Sequence, residues 1–270
     1  MNRTEIANLI LRNLVEKKDV LKKQFLSSKG EIGYFYLDNL LPEDLALKIY
    51  HKFPNTKEAV KKKNLREFKF TAYQMNKYDT ILEEIIYAFQ DKRVVKLVGE
   101  ICELKDLEGD ENLYAGGLSL MEKDNFLNPH LDNSHDKDRN KWRVLNLLYY
   151  VSPNWKLENG GNLELWPKGL KEPQITIVSK FNRLVVMSTH NNSWHSVSKV
   201  LKDDIRNCVS NYYFSNAPFL ISDTFHVTTF RGRSSEKIKD ILLRLDNGFR
   251  GSLRKVFKKG VRENPHQYKK

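Results

Sequence analysis

Cysteine is scarce in this chain. Only Cys102 and Cys208 occur among 270 residues, and they form no CxxC pair. A zinc site built from thiolates is therefore excluded, and a disulfide framework is not expected. The cysteine content is typical of a protein from a reducing compartment, and we expect a cytoplasmic location.

Long hydrophobic runs are also missing. No segment approaches the roughly 18 apolar residues that can span a bilayer. The first 20 residues, MNRTEIANLILRNLVEKKDV, carry charges on both flanks and no small-residue cleavage site, so they indicate a helix and not a signal peptide. With 40% hydrophobic and 30% charged residues, the composition is that of a globular protein with a sizeable core.

Positive charge is concentrated near one end. Residues 231–270 contain 13 Lys or Arg against four Asp or Glu, a net charge of +9 out of +12 for the chain. The same segment carries an apolar helical stripe, formed by Ile238, Ile241, Leu242, Leu245 and Phe249. We expect this stripe to pack on the rest of the protein. The alternative is that the basic tail contacts an anionic partner. An anionic membrane surface would make the protein membrane-peripheral, and an anionic polymer is the other candidate.

The chain divides into three parts by pattern. Residues 1–112 predict a helical entry segment with helices over 4–26 and 80–103 and a solvated charge run over 55–67. Residues 113–217 predict six or seven short strands separated by turn signals, which form a β-rich core. Residues 218–270 predict a basic helical extension. The fold class is therefore a β-rich α+β protein, with a sandwich or barrel core.

Two histidines and one carboxylate are candidates for a metal site. In "NPHLDNSH" (128–135), His130 and Asp132 lie two residues apart, so on an extended strand they point to one face. This pair alone is weak evidence, since a polar loop would look the same. His195 follows 65 residues later and Arg206 eleven after that. Two histidines and one carboxylate form the facial arrangement of non-haem Fe(II) oxygenases, and an arginine fork suits a carboxylate.

These motifs occur in an order that resembles the prolyl 4-hydroxylase-like branch of the Fe(II)/2-oxoglutarate-dependent dioxygenases. "HLD" is followed by "RVLNLLYYVS", "GGNLELWP", "KFNRLVVMS", "WHSV" and "RNCVSNYYF". "YFYLDNLLPEDLALKIYHKFP" is similar to the entry segment of that family. The resemblance covers roughly residues 33–217.

The resemblance implies a double-stranded β-helix, or jelly roll, and a set of site residues. His130, Asp132 and His195 would be the iron ligands, with His190 the alternative to His195. Arg206 would bind the C5 carboxylate of 2-oxoglutarate, and Tyr150 would hydrogen-bond the same group unless the adjacent Tyr149 does. Fe(II), 2-oxoglutarate and O2 would be required, with ascorbate as a reductant. The reaction would hydroxylate an unactivated C–H bond and yield succinate and CO2.

The substrate is left open by the resemblance, which admits a peptidyl, sugar, lipid-linked or small-molecule substrate. Residues 55–80 and 133–143 are the predicted substrate-facing segments. Asn146 and Asn211 lie within apolar strands, so each either bonds across the sheet or faces the active-site lumen; His266 is expected to be an ordinary residue. A non-catalytic Fe/2-oxoglutarate sensor, or a scaffold that binds through its basic tail, are the alternative functions.

Overall fold

The computed structural model describes residues 1–257 and 266–269. The rest of the predicted tail, 258–265 and 270, lies outside the described residues. The helices are α1 (Arg3–Glu16), α2 (Lys18–Ser28), α3 (Glu43–His51), α4 (Thr80–Ala88), α5 (Lys92–Cys102) and α6 (Lys237–Val256). The strands are β1 (Tyr34–Leu37), β2 (Val60–Lys63), β3 (Glu67–Ala72), β4 (Glu108–Gly109), β5 (Gly117–Met121), β6 (Phe126–Leu131), β7 (Trp142–Tyr150), β8 (Leu163–Leu165), β9 (Ile175–Ile177), β10 (Arg183–Ser188), β11 (His195–Val197), β12 (Arg206–Ser215) and β13 (Thr229–Phe230).

The strands form one strongly curled antiparallel sheet. Its order is β1-β10-β7-β12-β5-β3-β6-β11-β8-β9, with β13 beside β6, β2 beside β3 and β4 beside β12. The curled sheet with its six helices confirms the predicted jelly-roll class. Eight strands, β5 to β12, fall within the segment for which six or seven were predicted, and the entry segment adds four more to the sheet.

The central strands are long and apolar because both of their faces are covered. Every residue of β12 is buried, and β7 reads WRVLNLLYY with only two half-buried positions. Helices α1, α4 and α5 pack their apolar residues against one face of these strands in a single core cluster. The other face turns towards the site described below. Strands covered on both faces lose the alternation of apolar and polar residues.

The N-terminal helices are shorter than predicted. Instead of one helix over 4–26, α1 ends at Glu16 and α2 begins at Lys18. The predicted helix over 80–103 is also two helices, since the Asp91 side chain accepts the N–H of Arg93 and caps a new helix. An aspartate cap satisfies the free N–H groups at a helix start, which favours a break there over continuation.

Helix α6 packs with the opposite face from the one expected. Ile238, Ile241, Leu242, Leu245 and Phe249 are all exposed, whereas Leu243 is buried. The inward face is held by polar contacts: Asp240 pairs with Arg231, and Asn247 bonds both the N–H and the C=O of Phe230. The prediction that the apolar stripe packs on the core is therefore wrong, because these specific polar contacts select the inward face. None of the helices in the described ranges is long and apolar enough to cross a membrane.

Candidate functional site

The three candidate metal ligands meet where β6 and β11 lie side by side. His130 is the fifth residue of β6, Asp132 directly follows that strand, and His195 begins β11. His195 pairs with His130 across the antiparallel ladder. The HxD spacing places the carboxylate beside the first imidazole, and the strand pairing brings in the second.

The ligand atoms of these three residues converge. Nε2 of His130 lies 3.6 Å from Oδ1 of Asp132, and Nε2 of His195 lies 3.7 Å from Oδ2. One ligand atom from each residue lies within 4.8 Å of the others. The Nδ1 atoms of His130 and His195 are each 2.9 Å from a backbone carbonyl, of Asn128 and Ser193 respectively. A carbonyl can only accept, so each Nδ1 carries a hydrogen, and this leaves each Nε2 to face the centre, where its lone pair could bind a metal.

The electrostatics suit a cation at this centre. Burial, and secondarily the nearby His130, lowers the pKa of His195 to about 4, so its imidazole is neutral at neutral pH. Burial opposes the ionisation of Asp132, but the imidazoles of His130 and His195 outweigh that effect and hold the pKa of its carboxyl well below the ordinary value. Two imidazoles and one carboxylate are a donor set for a divalent transition metal.

His190 is separated from this centre. It is buried, its ring stacks on Phe219 at 5.2 Å, and its Nδ1 accepts the N–H of Asn192. Within the described residues, His130, Asp132 and His195 form the group that could hold a metal ion, which we call the metal-capable cluster; His190 is not part of it. Of the two histidines considered for the distal position, the structure brings His195 to the other two residues.

Arg206 is a buried cation without an anionic partner among the described residues. Its Nε lies 3.3 Å from Oγ of Ser179, and its second contact is Sδ of Met121 at 3.7 Å from Nη1. The guanidinium carbon stands 4.7 Å from the ring centroid of Tyr150. The Tyr150 hydroxyl is itself buried without a hydrogen-bond partner in the described part of the chain, and burial raises its pKa to about 12. A carboxylate placed here would satisfy both groups.

The neighbouring tyrosine faces the other side of the sheet. The Tyr149 hydroxyl donates to Oδ1 of Asn182 at 2.8 Å, and its ring packs near Phe89 in the helical layer. Gly160 and Gly161 form the turn expected before β8, with φ of +68° and +64°. A Cβ on Gly160 would lie 2.0 Å from the carbonyl oxygen of Lys199, so only glycine fits.

A cavity of about 600 Å³ connects the two parts of the site, since His130, Asp132, His195 and Arg206 all line it. Asn146 also lines it, with Nδ2 3.4 Å from Oδ2 of Asp132. A larger cavity of about 970 Å³, beside α5, contains none of these residues.

The structure also shows which polar and aromatic residues of the central strands face the cavity and which face the core. Asn146 faces the lumen, whereas Asn211 bonds the Gln90 side chain on the opposite side of the sheet. Of the aromatic residues in β12, Tyr212 lines the cavity while Tyr213 packs in the core.

Two residues that line the cavity were not singled out by the sequence. Lys62 lies within 55–80, which was predicted to face the substrate, but also within the run interpreted as solvated charge, and His266 was expected to be ordinary; both line the cavity. His266 stacks on Tyr73 at 4.3 Å, and its Nε2 lies 2.6 Å from the carbonyl oxygen of Gly116. The pairing of β2 with β3 was the signal that could have placed Lys62 here, because it puts every second residue of 60–63 on the same face.

Comparison with known proteins agrees with this geometry. Residues 116–214 match the family model of the 2OG-Fe(II) oxygenase superfamily. The predicted resemblance is confirmed. The matched segment runs from the start of β5 to the end of β12 and contains His130, Asp132, His195 and Arg206. None of the curated proteins compared with the chain matches it.

Solved structures share the fold at low sequence identity. A Pseudomonas putida prolyl-4-hydroxylase is 14% identical with a TM-score of 0.55, and the match covers 72% of this chain and 98% of that one. A Trichoplax adhaerens prolyl hydroxylase, solved with a hypoxia inducible factor peptide fragment, is 17% identical with a TM-score of 0.52, covering 78% and 96%. The non-heme alpha ketoglutarate dependent epimerase SnoN from nogalamycin biosynthesis is 11% identical with a TM-score of 0.53, covering 76% and 88%. At these identities the likeness concerns the fold alone.

Proposed function

We propose that this protein is an Fe(II)- and 2-oxoglutarate-dependent dioxygenase that hydroxylates a C–H bond of its substrate. The observation that carries the proposal is the convergence of two imidazoles, His130 and His195, on the carboxylate of Asp132. Three ligands of this kind leave coordination positions open for a co-substrate and O2. The match of 116–214 to the 2OG-Fe(II) oxygenase superfamily supports the same chemistry.

The residues of the site have separate tasks in this proposal. His130, Asp132 and His195 would hold the iron, with both imidazoles oriented by the carbonyls that accept from Nδ1. Arg206 and Tyr150 would bind the distal carboxylate of 2-oxoglutarate and fix its orientation. When bound, iron would couple the oxidation of 2-oxoglutarate by O2 to hydroxylation of the substrate, with one oxygen atom going to succinate and the other to the product, and CO2 released.

Hydroxylation, as opposed to another oxidative outcome, is the most specific part of the proposal. Two of the structural relatives are described as prolyl hydroxylases, which supports this outcome, while a third is described as an epimerase. Because one fold carries different outcomes, the reaction must be argued from the site. A need for ascorbate as a reductant stays a prediction.

An anaerobic titration with Fe(II) and 2-oxoglutarate tests the proposal. We expect a weak visible charge-transfer band only when both are present, and we expect it to be lost in His195→Gln but retained in His190→Gln. Admission of O2 should then yield succinate. A folded protein that gives no band under these conditions would contradict the metal site, and a band without succinate formation would favour the sensor over the enzyme.

A further inference from the structure

The cavity that contains the metal-capable cluster is strongly cationic. Among the described residues that line it, the cationic side chains outnumber the carboxylates by six to two. The cations are Lys62, Arg66, Lys69, Arg143, Arg206 and Arg250, and the carboxylates are Glu67 and Asp132. Asp132 is assigned to the metal and Arg206 to the co-substrate, so an excess of positive charge is left for the remaining space.

Lys62 and Lys69 contribute two of the positive charges in the cavity. They lie directly opposite each other in the pairing of β2 with β3, an arrangement of like charges that destabilises a sheet unless something compensates it. Lys69 has Glu67 as a partner at 3.1 Å. The Lys62 Nζ donates to Nδ1 of His266 at 3.1 Å and has no carboxylate within ion-pair distance in the described chain. Burial, with Lys69 a smaller cause, lowers the pKa of Lys62 to about 8.

His266 does not offset the charge of Lys62. Burial and the proximity of Lys62 hold the pKa of His266 well below its ordinary value, so the ring is neutral. Its Nδ1 accepts from Lys62 while Nε2 donates to the Gly116 carbonyl. The imidazole therefore positions the ammonium group without neutralising it.

Arg143 contributes a third positive charge in the cavity. It is 3% exposed, its guanidinium carbon lies 3.8 Å from the ring centroid of Tyr212, and one Nη donates to the carbonyl of Tyr114. Its Nε is buried with no hydrogen-bond partner in the described ranges. The carboxylates that act on it, Asp132 and Asp110, both stand beyond ion-pair distance. A buried charge without a paired partner is costly, which indicates that a ligand completes the site.

These cations are separate from the place assigned to 2-oxoglutarate. Arg143 and Tyr150 stand seven residues apart on β7, a distance of about 23 Å along an extended strand. One small dicarboxylate on Arg206 and Tyr150 therefore does not also reach Arg143. Arg66 and Arg250, at the edge of the cavity, share the single carboxylate of Asp246 and leave a further positive charge there.

We propose that the substrate of this site is anionic and presents a carboxylate or phosphate group to Lys62, Lys69 and Arg143, which we call the cationic wall. The proposal rests on the proposed function, since it names the substrate class of the same site. Lysine and arginine both bind such oxygen anions, and the ring of Tyr212 holds the Arg143 fork in place. A neutral peptidyl proline would leave the wall without a partner.

Binding of inorganic phosphate and of acetate, measured by isothermal titration calorimetry on the full chain, tests the proposal. The matched variants are Lys62→Met with Lys69→Met, and Lys61→Met with Lys63→Met. Both pairs remove two positive charges, but Lys61 and Lys63 are exposed and lie over the ring of Phe68. We expect the first pair to weaken binding of the anion at least tenfold and the second pair less than twofold. Glycerol, a neutral probe, should not bind.

Comparison of phosphate with acetate distinguishes which chemical group carries the negative charge of the substrate. Binding of phosphate alone supports a phosphorylated substrate, binding of acetate alone supports a carboxylated one, and binding of both supports the wall as a general anion site. The proposal is overturned if neither anion binds, or if the two double variants weaken binding equally.

A second readout separates this proposal from the proposed function. Mn(II) in place of iron should broaden the phosphorus resonance of bound phosphate, because the wall and the metal-capable cluster share one cavity. Binding of Mn(II) is followed independently by electron paramagnetic resonance. A protein that fails to bind Mn(II) and 2-oxoglutarate contradicts the proposed function, while calorimetry of phosphate still tests the wall.

Discussion

Arg206 with Tyr150, the proposed co-substrate end of the site, and the cationic wall differ in how they hold positive charge. At the co-substrate end, one buried arginine fork and one buried hydroxyl come from neighbouring strands, with Cys208 of β12 paired to Tyr150 of β7. The cationic wall combines two lysines and an arginine from three strands. A rigid fork selects the planar shape of a carboxylate, whereas lysines act as point charges. The first end is therefore suited to one fixed co-substrate, and the second selects its ligand mainly by charge.

The largest effect should come from the residues between these two ends. Replacing His195 with Gln removes a proposed ligand of the metal, so we expect turnover to fall roughly 1,000-fold or more. The measurement is succinate formation from 2-oxoglutarate. His190→Gln is the matched control because His190 is also buried but lies outside the cluster. Equal losses in both variants would remove the distinction between the two histidines.

Arg206→Ala should act on the co-substrate end alone. It removes a charged hydrogen bond worth ~1.5–3 kcal/mol, which corresponds to a rise of roughly 10- to 150-fold in the KM for 2-oxoglutarate. We expect kcat to change less than KM. Arg183→Ala is the control, since that arginine pairs with Asp38 away from the cavity. An unchanged KM in Arg206→Ala would place the anchor elsewhere.

Raising the ionic strength should weaken binding at the cationic wall more than at Arg206, by a smaller factor than the substitutions above. Lys69 is 20% exposed and Arg206 only 3%, and salt screens accessible charges more than buried ones. Between low and high salt we expect the affinity for inorganic phosphate to fall roughly 3- to 10-fold, while the KM for 2-oxoglutarate stays within a factor of about two. Equal salt dependence of the two would indicate that the ends are equally solvated.

The last comparison concerns the stability of α6, which lines the same cavity as the cationic wall through Arg250. Leu243→Ala should lower the free energy of unfolding by ~2–5 kcal/mol, because Leu243 is buried. Leu245→Ala should change it by no more than ~0.5 kcal/mol, because Leu245 is 67% exposed. Urea unfolding measures both. The reverse order would mean that the apolar stripe packs inward, as the sequence suggested.

The metal-capable cluster could be predicted from the sequence because one part of its geometry is local and the other part follows a family pattern of motifs. His130 and Asp132 converge through the two-residue period of a strand, and the order of motifs placed His195 and Arg206 in the same family pattern. The choice between Tyr149 and Tyr150 depended on the face of β7. The structure places Tyr150 beside Arg206 and Tyr149 in the helical layer.

The cationic wall could be predicted only by segment: Lys62 and Lys69 lie in 55–80 and Arg143 in 133–143, the segments predicted to face the substrate. No spacing rule relates Lys62, Lys69, Arg143 and His266 to one another. A run such as "KEAVKKKNLRE" is usually solvated, and three of its lysines are adjacent, so composition did not single out Lys62. Only the pairing of β2 with β3 turns Lys62 inward while Lys61 and Lys63 remain exposed.

The orientation of α6 shows a second limit of sequence patterns. An amphipathic stripe predicts a helix and two unlike faces, and burial of the apolar face is the usual outcome. Here Asp240 and Asn247 find specific partners in Arg231 and Phe230, which lie just before the helix. Such contacts depend on the exact path of the preceding segment and have no periodic signature.

The direct pairing of His195 with His130 has a consequence for how the molecule folds. The two histidines are 65 residues apart in the chain, and their strands become neighbours only after the intervening β7 to β10 have been accommodated. Sheets dominated by such distant pairings fold slowly, since the entropy of closing a long loop opposes them. We therefore expect a metal ion to bind after the sheet has closed, and to slow unfolding more than it speeds folding.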